Sequence, residues 1–371
     1  MNETGSTTDA REHPRHLSEV TSSWLTTCLH DAGADGSVSS FTDELIGDGV
    51  GQMATLHRLR LSYSRGSGPE CVVVKFPGVM EANLEIARQF SLFLREVEFY
   101  RVAASRTAMT LPKIYAAEID ADGGFVLLME DLGAFNTGDQ VVGMGAEHAA
   151  VAIDELVKLH APFWGAVDTG EFDFAPRVNA QGQADVMHSI AIACWDAMNE
   201  TFGDAVPPAM NEVRQRFLDA IPAMHDWLGS GPVTMIHSDF RLDNLMLGNG
   251  PEHAVVTLDW QGAMRSLGIE DVAFLLSQSM PVELRRASER GLVERYRQGL
   301  VAAGIDHYPT AESAWEDYRR CVLYLWMYAV IISGALDTSN PRARTMMSAL
   351  ISRSAAAISD LDCLSLLPEF E

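Results

Sequence analysis

Residues 233–247 read Val-Thr-Met-Ile-His237-Ser-Asp239-Phe-Arg241-Leu-Asp243-Asn244-Leu-Met-Leu, which sets a carboxylate and a carboxamide five positions apart between two apolar runs. A second apolar run, Ala254 to Leu258, ends in Asp259-Trp260-Gln261, so another carboxylate leaves a strand about one hairpin later. Phosphoryl transfer asks little covalent chemistry of a protein. It does need an aspartate beside the attacking hydroxyl and oxygen ligands that hold Mg²⁺ on the phosphates. The spacing His-x-Asp-x4-Asn, followed by a strand-end Asp, meets that need: Asp239 is the candidate base, and Asn244 and Asp259 are the candidate metal ligands. A carboxylate is a weak base, so its positioning matters more than its proton affinity. The competing reading is that Asp239 and Asn244 merely stabilise a loop.

Upstream, Gly47, Gly49 and Gly51 let backbone N–H groups approach a phosphate. A dinucleotide fingerprint would open a helix, whereas these glycines lead into an alternating strand that ends at Tyr63, as in a phosphate-covering kinase loop. A nicotinamide oxidoreductase, which would rest on the glycines alone, is rejected on that ground; a plain glycine hairpin is the bland alternative. Lys75 ends the β-branched run Cys71–Phe76, where a lone buried ammonium is costly without an acidic partner. Glu96, on the following helical segment, is the expected partner. Glu98, about 200° around that helix, is the reserve candidate.

These residues need elements to hold them. Leu17 to His30 carries Trp24, Leu25 and Leu29 at helical spacing. Strands follow, with Leu59, Leu61 and Tyr63 alternating against Arg58, Arg60 and Ser62, and a hairpin turn at Ser64–Pro69. One helix is expected over Glu85–Ala104 with Phe90, Phe93, Leu94, Val97 and Tyr100 on its apolar face, then a strand at Phe125–Met129. Beyond Asp131 the pattern is mostly helical: Ala146–His160, Asp185–Phe202, Pro208–Leu228, Val282–Ala303, Ala311–Leu336 and Arg342–Leu361. The expected organisation is a tail and helix over 1–40, a nucleotide-binding lobe over 41–131 and a catalytic, substrate-binding lobe over 132–371.

The motif order resembles the aminoglycoside phosphotransferase and choline kinase group, and most closely its ecdysteroid kinase-like branch. The resemblance is carried by Gly47-Asp-Gly49-Val-Gly51-Gln, Val72-Val-Val-Lys75-Phe-Pro77, Phe93-Leu-Arg-Glu96-Val-Glu-Phe99-Tyr100, Leu127-Leu-Met-Glu130-Asp131-Leu132-Gly133 and the two downstream motifs, over roughly residues 40–335. It implies an α+β, bilobal protein-kinase-like fold, with an antiparallel sheet in a small N-terminal lobe and a large, mostly helical C-terminal lobe. It further implies ATP, with GTP as the alternative, and Mg²⁺. Lys75 would contact the α and β phosphates, Glu96 would fix Lys75, and the backbone at Glu130 and Leu132 would meet the base. His237 is then a loop-holding histidine and Asp271 the buried aspartate that anchors the catalytic loop. Arg241 and Asp243 lie inside that loop, and the sequence leaves open whether they serve the transferring phosphate or loop geometry. Trp260 stands where protein kinases usually have Phe, and no activation segment with Ala-Pro-Glu follows, which disfavours protein substrates.

The acceptor implied is a small-molecule alcohol: an antibiotic, a steroid or other polycyclic alcohol, a choline-like amino alcohol or a hydroxyacyl thioester. Trp195, Met198, Trp326, Met327 and Tyr328 would suit an apolar acceptor pocket, although such residues at helical spacing are more often core. That group leans the reading towards an apolar acceptor. A pseudokinase is the alternative from another class; retention of Lys75, Glu96, Asp239, Asn244 and Asp259 argues against it.

Composition bounds the rest. At 371 residues the chain suits two lobes, and 47% hydrophobic content is ordinary for a globular protein. A formal charge of −24 disfavours nucleic acid, whose phosphates are bound by clustered Lys and Arg. No run of about 18 apolar residues suggests a membrane span. The polar N-terminus shows no secretory signal, and five scattered cysteines form no CxxC pair, so a reducing cytoplasm is the expected location and structural zinc is disfavoured. The oligomeric state is not legible.

Overall fold

The structure, a computed structural model, describes residues 13–47, 53–250, 252–335 and 340–367. The chain divides into two compact units, Met1–Val97 with Lys113–Asp131, and Glu98–Pro112 with Leu132–Glu371.

In the first unit, α1 (Ser22–Asp31) begins where the Thr21 hydroxyl accepts from the Trp24 N–H at 3.1 Å, a side-chain cap for an otherwise orphaned donor. The strands β1 (Ser37–Ile46), β2 (Ala54–Arg65) and β3 (Cys71–Pro77) follow, then the helices α2 (Glu81–Gln89) and α3 (Leu92–Glu98), and β4 (Ile114–Ile119) and β5 (Phe125–Glu130). The five strands form one antiparallel sheet in the order β1-β2-β3-β5-β4. Side chains alternate across β3. Val72, Val74 and Phe76 pack in one cluster with Leu25, Cys28 and Leu29 of α1, and the opposite parity carries Val73 and Lys75. On α3, Phe93 stacks on Phe125 of β5 with ring centroids 4.4 Å apart.

The single helix expected over Glu85–Ala104 is instead broken. Ser91 takes a left-handed conformation at φ +54°, which ends α2 and lets α3 start on a new axis; a π-type turn at Phe99–Ala103 follows. Leu94, placed on the apolar face of that single helix, is 38% exposed.

The second unit contains β6 (Asn136–Thr137), α4 (Ala146–His160), α5 (Gln183–Phe202), α6 (Pro208–Glu212), α7 (Arg214–Ser230), β7 (Thr234–Ile236), β8 (Leu245–Leu247), β9 (Val255–Thr257), β10 (Met264–Ser266), α8 (Ile269–Phe274), α9 (Val282–Ala302), α10 (Ala311–Tyr324), α11 (Trp326–Ala335) and α12 (Pro341–Asp360). Two expected helices are split. Pro208–Leu228 breaks at Val213 (φ −94°, ψ 6°), and Ala311–Leu336 breaks at Leu325. The second break separates the amphipathic α10 from α11, which packs on α5. Trp195, Met198, Trp326 and Met327 are fully buried in the core, and Tyr328 packs against it. Trp195, Met198, Trp326 and Met327 therefore serve the core, and the lean towards an apolar acceptor loses the support of those four.

Candidate active site

Two small antiparallel sheets frame the loop at residues 237–244. β7 pairs with β10, while β8 pairs with β6 and β9. The loop leaves β7 through Ser238, which is held at φ +62°, an uncommon conformation for a residue with a side chain. Asp271 of α8 stabilises that turn. Fully buried, it accepts from the His237 N–H at 2.7 Å and the Ser238 N–H at 2.8 Å, and its Oδ2 lies 3.2 Å from His160 Nε2. His160 is fixed in turn through Nδ1 by the Tyr296 hydroxyl at 2.8 Å.

His237 has no nitrogen to spare. The Asp239 N–H donates to Nδ1 at 3.3 Å, so the ring proton lies on Nε2, which donates to the Leu258 carbonyl at 2.8 Å. That tautomer follows from the partners. Both ring nitrogens thus tie loop to strand end, which is loop-holding geometry. Gly262 allows the same closeness, because a Cβ there would lie 2.7 Å from the His237 carbonyl oxygen.

Asp239 is partly exposed, and both its carboxylate oxygens are positioned. Arg241 Nε donates to Oδ1 at 2.9 Å, and Asn244 Nδ2 donates to Oδ2 at 2.9 Å and to the Asp239 carbonyl at 2.9 Å. Arg241 Nη1 also donates to Asp243 Oδ2 at 3.3 Å. The Asp239 charge chiefly, with Asp243 and Asp259, holds the guanidinium above its already high ordinary pKa. Burial pushes the Asp243 carboxyl up from its ordinary value, opposed by Arg241 and by the Gln140 N–H.

Asn244 and Asp259 leave the same end of the β8–β9 ladder, which the Leu258 N–H extends by donating to the Asn244 carbonyl at 2.9 Å. Asp259 sits at φ +63°, and the next residue, Trp260, is fully buried and stacks on Phe99 with centroids 3.4 Å apart. With Nδ2 spent on Asp239, the Asn244 amide turns a hard oxygen, Oδ1, away from those two bonds. Magnesium takes one or two carboxylates plus phosphate and water oxygens, so an amide oxygen and the Asp259 carboxylate fit its chemistry. No group of three or more His, Cys, Asp or Glu arranged to hold a metal occurs among the described residues, so a closed all-protein cage is not offered there.

A residue absent from the sequence reading braces this loop. Gln140 is 1% exposed; its N–H donates to Asp243 Oδ1 at 3.2 Å, its Oε1 accepts from the Leu242 N–H at 3.1 Å, and its Nε2 donates to the Gln278 carbonyl at 2.7 Å. The buried Arg353 of α12 closes the brace by donating to the Gln140 carbonyl at 2.5 Å and the Val141 carbonyl at 2.9 Å. Gly138 lets this segment pass the loop, since a Cβ there would collide with the Leu242 carbonyl. A polar turn such as Gly138-Asp-Gln140 carries no local signal that its glutamine is buried.

In the first unit, Lys75 Nζ donates to both carboxylate oxygens of Glu96, each at 2.8 Å, with the side chains 6% and 1% exposed. Glu98 instead pairs with Arg101. Gly47 has φ +69°, while Gly49 and Gly51 lie outside the described residues. The Glu130 N–H donates to the Lys113 carbonyl at 2.8 Å, and the Leu132 carbonyl accepts from the Phe135 N–H at 2.8 Å. No helix among the described residues is long and apolar enough to cross a membrane. The five cysteines are free thiols.

The model of the ecdysteroid kinase-like family matches residues 49–305. A Ralstonia eutropha JMP134 protein provisionally named an aminoglycoside phosphotransferase is similar in structure, with a TM-score of 0.57 at 16% identity over 94% of this chain and 98% of its own. The GDP complex of a point mutant of aminoglycoside 2'-phosphotransferase-IIIa gives 0.52 at 12% identity over 94% and 96%. Plasmodium vivax ethanolamine kinase gives 0.50 at 10% identity over 88% and 83%. At such identities the likeness is one of fold, the α+β protein-kinase-like fold that the motifs imply. No curated protein sequence matches the chain.

Proposed function

This chain belongs to the ecdysteroid kinase-like family, and from that membership we propose that it transfers the terminal phosphoryl group of ATP to a hydroxyl of a small molecule. The observation that carries the reading is the presentation of Asp239. It is partly exposed, with one carboxylate oxygen fixed by Arg241 and the other by Asn244. Such a carboxylate orients an acceptor hydroxyl and takes its proton as the new O–P bond forms and the bond from the γ-phosphorus to the bridging oxygen breaks, leaving ADP. Positioning of this kind supplies much of the rate in phosphoryl transfer.

Asn244 Oδ1 and the Asp259 carboxylate are the groups assigned to Mg²⁺, which when bound neutralises charge on the phosphate oxygens. Arg241 holds the base and supplies positive charge at the loop. Lys75, kept in place by Glu96, is assigned to the nucleotide phosphates, together with the Gly47, Gly49 and Gly51 loop, and the Glu130–Leu132 backbone to the base. A reducing cytoplasm is the proposed compartment, in keeping with the free cysteines.

The test is release of ADP or GDP from Mg²⁺-nucleotide over a mixed library of small alcohols, run beside Asp239→Ala. Turnover by the wild type and a loss of at least about a thousandfold in the variant are expected. Equal turnover by both would remove Asp239 from the mechanism. A wild type that binds nucleotide and turns over no alcohol would favour a non-catalytic binding module.

A further inference from the structure

We propose that Arg342 is a specificity-determining residue that recognises a negatively charged group, a carboxylate or phosphate, on the acceptor alcohol. The proposal rests on the phosphotransferase reading of Asp239 and narrows its substrate class.

Two contacts fix which face of α12 meets the catalytic loop. Met346 Sδ lies 3.7 Å from Arg241 Nη1, and seven residues later Arg353 binds the carbonyls of Gln140 and Val141, the segment that braces Leu242 and Asp243. Positions separated by four and seven share a helix face. Arg342 stands four residues before Met346, so it belongs to the same stripe, one turn further towards the helix start. The Asn340 side chain defines that start by accepting from the Arg342 and Ala343 N–H groups at 3.0 and 3.2 Å.

Arg342 is nevertheless exposed, and no ion pair or side-chain hydrogen bond engages its guanidinium among the described residues. Its guanidinium is therefore open to a ligand on the side of α12 that meets the catalytic loop. The loop carboxylates, by contrast, are occupied. Asp239 is held by Arg241 and Asn244, and Asp243 by Arg241 and the Gln140 N–H. The Arg342 guanidinium thus stands beside loop carboxylates that other groups already hold. An acceptor bearing an anion pairs with that guanidinium, whereas an acceptor bearing an ammonium group is repelled by it.

The experiment measures calorimetric binding of three probes with one carbon skeleton, gamma-hydroxybutyrate, butanediol and aminobutanol, to full-length protein holding Mg²⁺ and a non-hydrolysable ATP analogue. Wild type, Arg342→Gln and Arg342→Glu are compared. The wild type should bind the hydroxy acid at least about tenfold more tightly than the diol. Arg342→Gln should erase that preference, and Arg342→Glu should turn it towards the amino alcohol, with binding of the ATP analogue unchanged in both. Equal binding of the three probes by the wild type, or a preference that survives Arg342→Gln, overturns the assignment. So does a loss confined to the nucleotide, which would make Arg342 a contact to its phosphates. Binding is read without turnover, so failure of the charge preference is distinguishable from failure of the phosphotransferase reading in the library assay.

Discussion

Asn244 donates from a single amide nitrogen to both the carbonyl and Oδ2 of Asp239, each at 2.9 Å, so the candidate base and its neighbouring candidate ligand form one unit. Asn244→Ala removes both bonds and leaves Oδ2 free to turn with solvent. Turnover should fall at least about a hundredfold through lost orientation, and stability by about 1–3 kcal/mol, the usual cost of a buried polar partner removed. Steady-state kinetics and urea unfolding read the two effects separately. Activity within a few-fold of wild type would detach Asn244 from the site.

Asp271 is the second prediction. It is fully buried and takes two backbone N–H groups at the strained Ser238 turn, beside His160. In Asp271→Asn one of the two oxygens becomes an NH₂ group facing a backbone donor. The cost should be about 2–5 kcal/mol, because a buried charge-assisted network loses a partner. Denaturant midpoints measure it; a variant as stable as wild type would show that the turn does not depend on this carboxylate.

The Lys75–Glu96 pair lends itself to a double-mutant cycle. Removing either side chain takes from the other a buried, charge-assisted, two-oxygen contact, so Lys75→Met or Glu96→Leu should each destabilise the first unit by about 1–3 kcal/mol. The double variant should lose much less than the sum. Additive losses would mean that the two side chains are not coupled. Nucleotide affinity, read on the same proteins, should fall in every variant that lacks Lys75.

How far the sequence could carry these arguments follows from the range of each interaction. The candidate loop stood out in the sequence because Asp239 and Asn244 lie five residues apart on one short segment, and Asp259 one hairpin beyond. β2, β3, β5 and α4 were legible from apolar patterning, whereas β4 was not. The break at Ser91 was not, since a serine forced to φ +54° is set by the packing of α2 and α3 and by no local preference. Gln140 and Arg353 meet across 213 positions, and nothing short-range in either neighbourhood marks them as partners. The late Trp and Met residues, read as more often core than pocket, stayed ambiguous for the opposite reason: periodicity places them on a face and does not say whether that face lines a cavity or fills a core.

Glu270, beside Asp271, supplies the prediction with a pH sign. It is fully buried, accepts from the Ser266 hydroxyl at 2.6 Å through Oε2, and its Oε1 has no hydrogen-bond partner. Burial first, and then the Asp271 charge, raise its pKa from 4.5 to about 8 against the pull of Ser266. Between those two values the folded protein keeps a proton that the unfolded chain releases, so stability falls as pH rises. The contribution is fully present below about 4.5 and is lost as pH climbs through about 8. At 1.36 kcal/mol per pKa unit it amounts to about 5 kcal/mol over the window. Glu270→Gln keeps the shape and has no proton to lose, so its unfolding free energy should stay flatter than that of wild type from about pH 5 to pH 8, and the two curves should separate most at the alkaline end. Urea titrations at closely spaced pH values measure this. Parallel curves would mean that Glu270 does not hold its proton in the folded protein.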